Sequence, residues 1–121
     1  MSPTRLTPSN LRAAFWTLRA LRVAKKQVGT GRWDAVALPR VPDVPHASLH
    51  AVDSILGRTG ATCLLTAIVR QAWFAAHGSK RDLVVGVTAP SGGFEAHAWL
   101  EGDPPCHAER FEEFLRRPAT A

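Results

Sequence analysis

Cys63 follows Gly60-Ala61-Thr62 and opens the apolar run Leu64-Leu65-Thr66-Ala67-Ile68-Val69, which places it in the first turn of a helix. Unpaired backbone N–H groups and the positive end of the helix dipole at that position favour a thiolate, lowering a pKa that is about 8.5 in a free cysteine. The thiolate is the nucleophilic form. The same N–H groups can hold an oxyanion during acyl transfer, often by about 3 kcal/mol per donor.

A thiol nucleophile needs a base within hydrogen-bond reach, and the base needs an acceptor to orient its far nitrogen. His97 is the candidate base. It lies in Phe94-Glu95-Ala96-His97-Ala98-Trp99-Leu100-Glu101, where alternation puts Glu95, His97, Trp99 and Glu101 on one face and Ala96, Ala98 and Leu100 on the other. For the orienting acid the choices are Glu109, Asp103, Glu101 and Glu95. Glu95 and Glu101 share the face of His97 and point alongside the imidazole, so an acid beyond the strand fits better. Trp99, on the same face, can wall the site.

A metal reading through Cys63, His97, Cys106 and His107 fails on spacing. Adjacent Cys106 and His107 cannot easily hold one tetrahedral ion, and the chain has no Cys-x-x-Cys pair. Neither a metal nor an organic cofactor is expected. His46, His50, His77 and His107 are expected at the surface or in turns, and Trp16, Trp33 and Trp73 in packing.

The elements that must carry these residues follow from periodicity. Over Ser9 to Val28 the residues Leu11, Ala14, Phe15, Leu18, Leu21 and Val28 recur at three- and four-residue intervals, which predicts an amphipathic helix with that stripe inward, capped by Ser9 or Asn10. Leu-Pro-Arg-Val-Pro-Asp-Val-Pro (38–45) predicts an extended strap, because each proline keeps its predecessor out of the helical region. Ala47 to Leu56 reads as a second helix with Leu49, Val52, Ile55 and Leu56 inward. Thr62 to His77, closed by Gly78, is the core helix. Leu83 to Val87 reads as a buried strand, Pro90 to Gly93 as a turn, and Ala108 to Arg117 as a short helix with Phe111, Phe114 and Leu115 inward.

With 121 residues the chain has room for one domain: a helix and connector over 1–45 and a catalytic core over 46–117. No apolar run approaches the roughly 20 residues of a membrane span, and the first ten residues lack the apolar stretch of a secretory signal. A cytoplasmic protein is expected, without a disulfide framework. The net charge of +5 gathers in the first third, where Arg12, Arg19, Arg22, Lys25 and Lys26 face few acids. That charge suits a solvated helix or a basic docking face for a protein. As the sole support for nucleic-acid binding it is insufficient, and neither nucleic acid nor membrane is expected as a partner.

Thr62-Cys63-Leu64-Leu65-Thr66-Ala67, the Leu83–Val87 strand and then Ala-His-Ala-Trp-Leu-Glu (96–101), in that order and spacing, resemble the transglutaminase-like leader peptidases of lasso-peptide biosynthesis. The likeness runs from about Leu49 to Phe114. It implies an α+β, papain-like core: N-terminal helices and a core helix carrying the Cys, packed on a small antiparallel sheet carrying the His. In that family a Cys-His-Asp triad cleaves the leader from a ribosomally made precursor. Cys63 then matches the nucleophile and His97 the base, and Glu109 stands where the family has Asp. Thr62 replaces an Arg common before the Cys. The resemblance further implies a split form that works with a separate leader-recognition protein, for which the basic first helix is a contact, and with a lasso cyclase. The two departures motivate an alternative, a catalytically inactive module that binds peptide.

Overall fold

The computed structural model describes residues 7–31, 36–88, 95–103 and 112–119. The first helix, α1, spans Pro8–Gly29. Its cap is Thr7, earlier than Ser9 or Asn10: Thr7 Oγ1 accepts from the Asn10 N–H (3.1 Å), and Pro8 begins the helix where no N–H is needed.

The buried face of α1 corrects the expected stripe. Ala13, Trp16, Thr17, Ala20 and Ala24 are inward, while Leu11, Phe15 and Leu18 are 43%, 67% and 45% exposed. Hydrophobicity favours the larger side chains, but small residues let neighbouring helices approach closely, and here that close approach decides the face. Thr17 is tolerated inside because its hydroxyl donates to the Ala13 carbonyl (2.8 Å).

The strap leading out of α1 has no ladder partner, so side chains of α1 satisfy it. The Gln27 amide donates to the Ala37 carbonyl and accepts from the Ala37 N–H, both at 3.1 Å. Trp16 Nε1 donates to the Pro39 carbonyl (2.9 Å). A 3₁₀ turn, His46–Ser48, then leads into α2 (Leu49–Arg58), which buries Ala51, Val52 and Leu56.

The core helix α3 spans Cys63–Ala76 and buries Leu65, Ala67, Ile68, Val69, Gln71, Trp73 and Phe74, so it packs on two sides. On one side Val69 and Trp73 join Ala13, Trp16 and Ala20 of α1 and Val52 and Leu56 of α2. On the other, Leu65, Ala67 and Ile68 join Leu83, Ala98 and Leu100 of the sheet. Its end is a Schellman motif: Gly78 takes a φ of +82°, the Ser79 N–H bonds the Phe74 carbonyl (2.8 Å) and the Gly78 N–H bonds that of Ala75 (3.2 Å). His77, placed in this turn as expected, also links elements, since its Nδ1 lies 2.8 Å from the Trp73 carbonyl oxygen and its Nε2 2.9 Å from that of Val44.

The sheet holds β1 (Leu83–Thr88), β2 (Glu95–Leu100) and β3 (Glu112–Arg117) in the order β2-β1-β3, all antiparallel, as an α+β architecture requires. Gly86 lies opposite His97, and Val84 opposite Trp99. The strand β3 corrects the expected helix over Ala108 to Arg117. Glu, Leu and Arg favour helix by only tenths of a kcal/mol per residue. The buried backbone of β1, at Leu83, Val84 and Gly86, requires partners on both sides. Leu115 is accordingly not inward but 41% exposed. The expected Pro90–Gly93 turn, residues 104–111 and Trp33 lie outside the described residues.

Candidate active site

Thr62 has a local structural role. Its backbone is extended and its Oγ1 accepts from the Leu65 N–H (3.2 Å), which caps α3. The N–H groups of Cys63 and Leu64 have no acceptor within the helix, because the first turn has no preceding carbonyls. Cys63 is a free, exposed thiol beside them. The capped turn therefore holds the thiol next to two donors.

His97 sits in mid-β2, half-buried, with its ring stacked on that of Trp99 (centroids 5.9 Å apart, planes at 23°). The sheet contacts α3 through the alternate residues Ala98 and Leu100, so His97 and Trp99 stand on the other face of β2. β2 is an outer strand of the described sheet.

A polar cluster sets how α3 lies along β2. Asp103 accepts from Arg70 Nη1 (3.3 and 3.2 Å) and from the Leu100 N–H (3.2 Å), and Arg81 Nη1 stands 3.7 Å away. Gln71 Nε2 donates to the carbonyls of Arg81 (2.9 Å) and Arg117 (3.0 Å). Cys63, two turns before Arg70, is about 10 Å back along the axis. His97, three residues before Leu100, is about 10 Å back along β2. The anchor ties α3 to the end of β2 and leaves each candidate residue about 10 Å from it along its own element.

Of the four acids weighed for orienting His97, two are engaged elsewhere. Asp103 is held by two guanidinium groups and a backbone N–H. Glu101 pairs with Arg116, which also binds Asp82 (2.9 Å) and Glu113 (2.6 Å). Hydrogen bonds from Arg116 hold the carboxyls of Asp82 and Glu113 below the usual range. Glu109, and the side chain of Glu95, lie outside the described residues, as do Cys106 and His107.

A cleft that periodicity does not reveal adjoins the first half of α3. About 380 Å³ in volume, it lies between the end of α2 and the first half of α3, lined by Asp53, Leu56, Gly57, Gly60, Ala61, Thr66 and Arg70. Thr66 and Arg70 follow Cys63 by three and seven residues, so they continue its side of the helix. That spacing was the available signal. Arg70 Nε lies 3.3 Å from Asp53 Oδ1 without its N–H aimed at the oxygen, a charge contact and not a hydrogen bond. Burial pushes the Asp53 carboxyl up, and Arg70 and His50 only partly offset it. A larger hollow of about 490 Å³ at the far end of α1, lined by Val23, Lys26, Gln27 and Thr30, holds none of the candidate residues.

Among the described residues no three His, Cys, Asp or Glu side chains gather as a metal site requires, and no helix is long and apolar enough to cross a membrane.

A helix-borne cysteine packed on an antiparallel sheet that bears a histidine is the architecture of transglutaminase-like proteins, and residues 5–116 match the family model described as Transglut_core3, Transglutaminase-like superfamily. The chain belongs to that superfamily, whose members are generally cysteine peptidases or transferases. The match includes α1, for which the sequence offered no diagnostic motif. No curated protein and no solved structure shows significant similarity to the chain.

Proposed function

We propose that the chain is a cysteine peptidase that removes the leader from a ribosomally made lasso-peptide precursor, with Cys63 as nucleophile, His97 as base and Glu109 as the orienting acid. The observation that carries this reading is the exposed Cys63 at the capped start of α3 in a chain of the transglutaminase-like superfamily. The Ala96–Glu101 phrase supports the narrower assignment to leader removal.

In this reading the Cys63 thiol and the His97 imidazole act as a pair. His97 takes the thiol proton, and the thiolate attacks the scissile carbonyl carbon, forming a C–S bond and an oxyanion that the Cys63 and Leu64 N–H groups face. The oxyanion collapses, the C–N bond breaks, and His97 returns its proton to the leaving amine. Water, deprotonated by His97, then attacks the thioester, and the C–S bond breaks to release acid and thiolate. Trp99 limits rotation of the imidazole through the ring stack. The cleft along Thr66 and Arg70 receives a substrate side chain flanking the cut bond. Glu109 is taken as the acid that orients His97 because it stands where the resembling family has Asp, and the engagement of Asp103 with two arginines supports that choice. A separate leader-recognition protein presents the precursor through α1, and the product passes to a lasso cyclase.

The test is Cys63→Ala, assayed by mass spectrometry on precursor plus recognition protein, with circular dichroism to confirm the fold. Loss of cleavage in a folded variant is expected; undiminished cleavage would refute the proposal.

A further inference from the structure

The face of α1 turned to solvent carries an apolar ridge the fold does not use. Leu11, Phe15 and Leu18 are spaced by four and three residues, so they form one line, opposite the buried Ala13, Trp16, Ala20 and Ala24. Phe15 is 67% exposed, more than any other large apolar side chain among the described residues. The helix therefore has two apolar sides, of which only one is spent on the core.

Charge selects what covers the second. Pro8–Gly29 contains Arg12, Arg19, Arg22, Lys25 and Lys26 and no Asp or Glu. Arg22 continues the ridge line, and Arg12, Arg19 and Lys26 flank it on one side. All are exposed. A second copy of this chain would bring two wholly cationic helices together and is disfavoured by like-charge repulsion. An anionic bilayer would meet a ridge only three residues long, interrupted by Arg22, on a helix pinned from behind to α2 and α3. Interfacial helices instead sink a broad apolar face.

We propose that this face docks an acidic amphipathic segment of a partner protein, with Phe15 as the anchor in an apolar groove and the cations of α1 paired to carboxylates at its rim. This deepens the partner reading given above, and it rests on that reading only for the partner's biological identity. Docking and cleavage are separable, because the surface contains none of the candidate catalytic residues.

The test uses the full chain with Cys63→Ala, so that binding is read without turnover. The probe is a fluorescein-labelled helical peptide with Leu and Phe along one face and Glu on both flanks; the controls are its Lys-flanked counterpart and vesicles of phosphatidylglycerol and phosphatidylcholine. Saturable binding of the Glu peptide is expected, weakened at least about tenfold by Phe15→Ser, and weakened again by Arg19→Glu or by added salt. Because these side chains are exposed, thermal unfolding of the variants stays at the parent value. Absence of saturable binding, equal binding of the Lys peptide, or binding unchanged by Phe15→Ser overturns the proposal. So does vesicle binding that Phe15→Ser abolishes while the peptide is ignored, or self-association through this face in sedimentation. Cleavage lost in Cys63→Ala with binding retained confirms docking independently of the peptidase reading; docking lost with cleavage intact leaves the peptidase reading standing.

Discussion

Arg70 and Asp103 join α3 to the end of β2, one guanidinium nitrogen lying 3.3 and 3.2 Å from the two carboxylate oxygens. Because Asp103 also accepts from the Leu100 N–H, the contact limits how far the helix can slide along the strand. Asp103→Ala leaves Arg70 and Arg81 without their shared carboxylate, and both are only partly exposed. Urea unfolding should show a loss of about 2 kcal/mol. A loss below a few tenths would mean the contact does not hold the register.

The same contact separates the two acids in kinetics. Glu109→Gln should lower the rate of precursor cleavage more than Asp103→Asn, because an amide at the orienting position no longer fixes the imidazole, whereas Asp103 acts through packing. The distinguishing readout is stability. Asp103→Asn should lower the unfolding free energy and Glu109→Gln should lower kcat at nearly unchanged stability. The reverse pattern would transfer the orienting role to Asp103.

Thr62→Ala removes the acceptor for the Leu65 N–H at the turn that carries Cys63. Capping losses of this kind cost about 1 kcal/mol. The first turn should also fray, so the rate of Cys63 alkylation should change while Thr62→Ser, which keeps the hydroxyl, restores both stability and rate. A Thr62→Ala variant with parental stability would show that the cap is not what orders the turn.

The parts of this fold that could be read from residues alone are those where one pattern dominates. The apolar run from Cys63 with Gly78 at its end gave α3, and β-branched and alternating segments gave β1 and β2. Two readings failed for a shared reason, that tertiary partners outweigh local preference. In α1, Ala13, Ala20 and Ala24 are buried ahead of Leu11, Phe15 and Leu18 because helices pack closest on small residues. At Glu112–Arg117 a helix-favouring sequence becomes β3 because β1 needs a second partner. For the site, Cys63 and His97 could be placed on their elements from spacing alone. Commitment of Asp103 to arginines could not, since Arg70 and Arg81 are distant in sequence and no local pattern marks the pairing.

Gly78 closes α3 at a φ of +82°, with open space where a Cβ would stand. The cost of Gly78→Ala is then conformational and not steric: about 1 kcal/mol for an L-residue in the left-handed region. Gly78→Asn should cost less, because Asn tolerates that region better. Equal losses for both would mean that the turn rearranges.

Arg116 of β3 gathers Asp82, Glu101 and Glu113, and this tie between the start of β1, the turn after β2 and β3 is sensitive to acid. Hydrogen bonds from Arg116 lower the carboxyl pKa of Asp82 and Glu113 in the folded chain. For a group whose folded pKa is depressed, the stabilisation is fully present above the unfolded value, about 4 for a carboxyl, and is lost as pH falls through the folded value. Stability should therefore be flat in this respect near neutrality and fall below about pH 4. Burial acts in the opposite sense at Asp53, whose raised pKa means that it takes up its proton in the folded state earlier than in the unfolded chain, which favours folding as pH falls through that range. Arg116→Leu removes the first contribution and leaves the second. Its unfolding free energy should fall less steeply between pH 4 and pH 3 than that of the parent, as followed by urea titrations at each pH, and addition of salt should narrow the difference because the Arg116 cluster is open to solvent. Identical acid limbs in the two proteins would show that the carboxylates around Arg116 are no better held than in the unfolded chain.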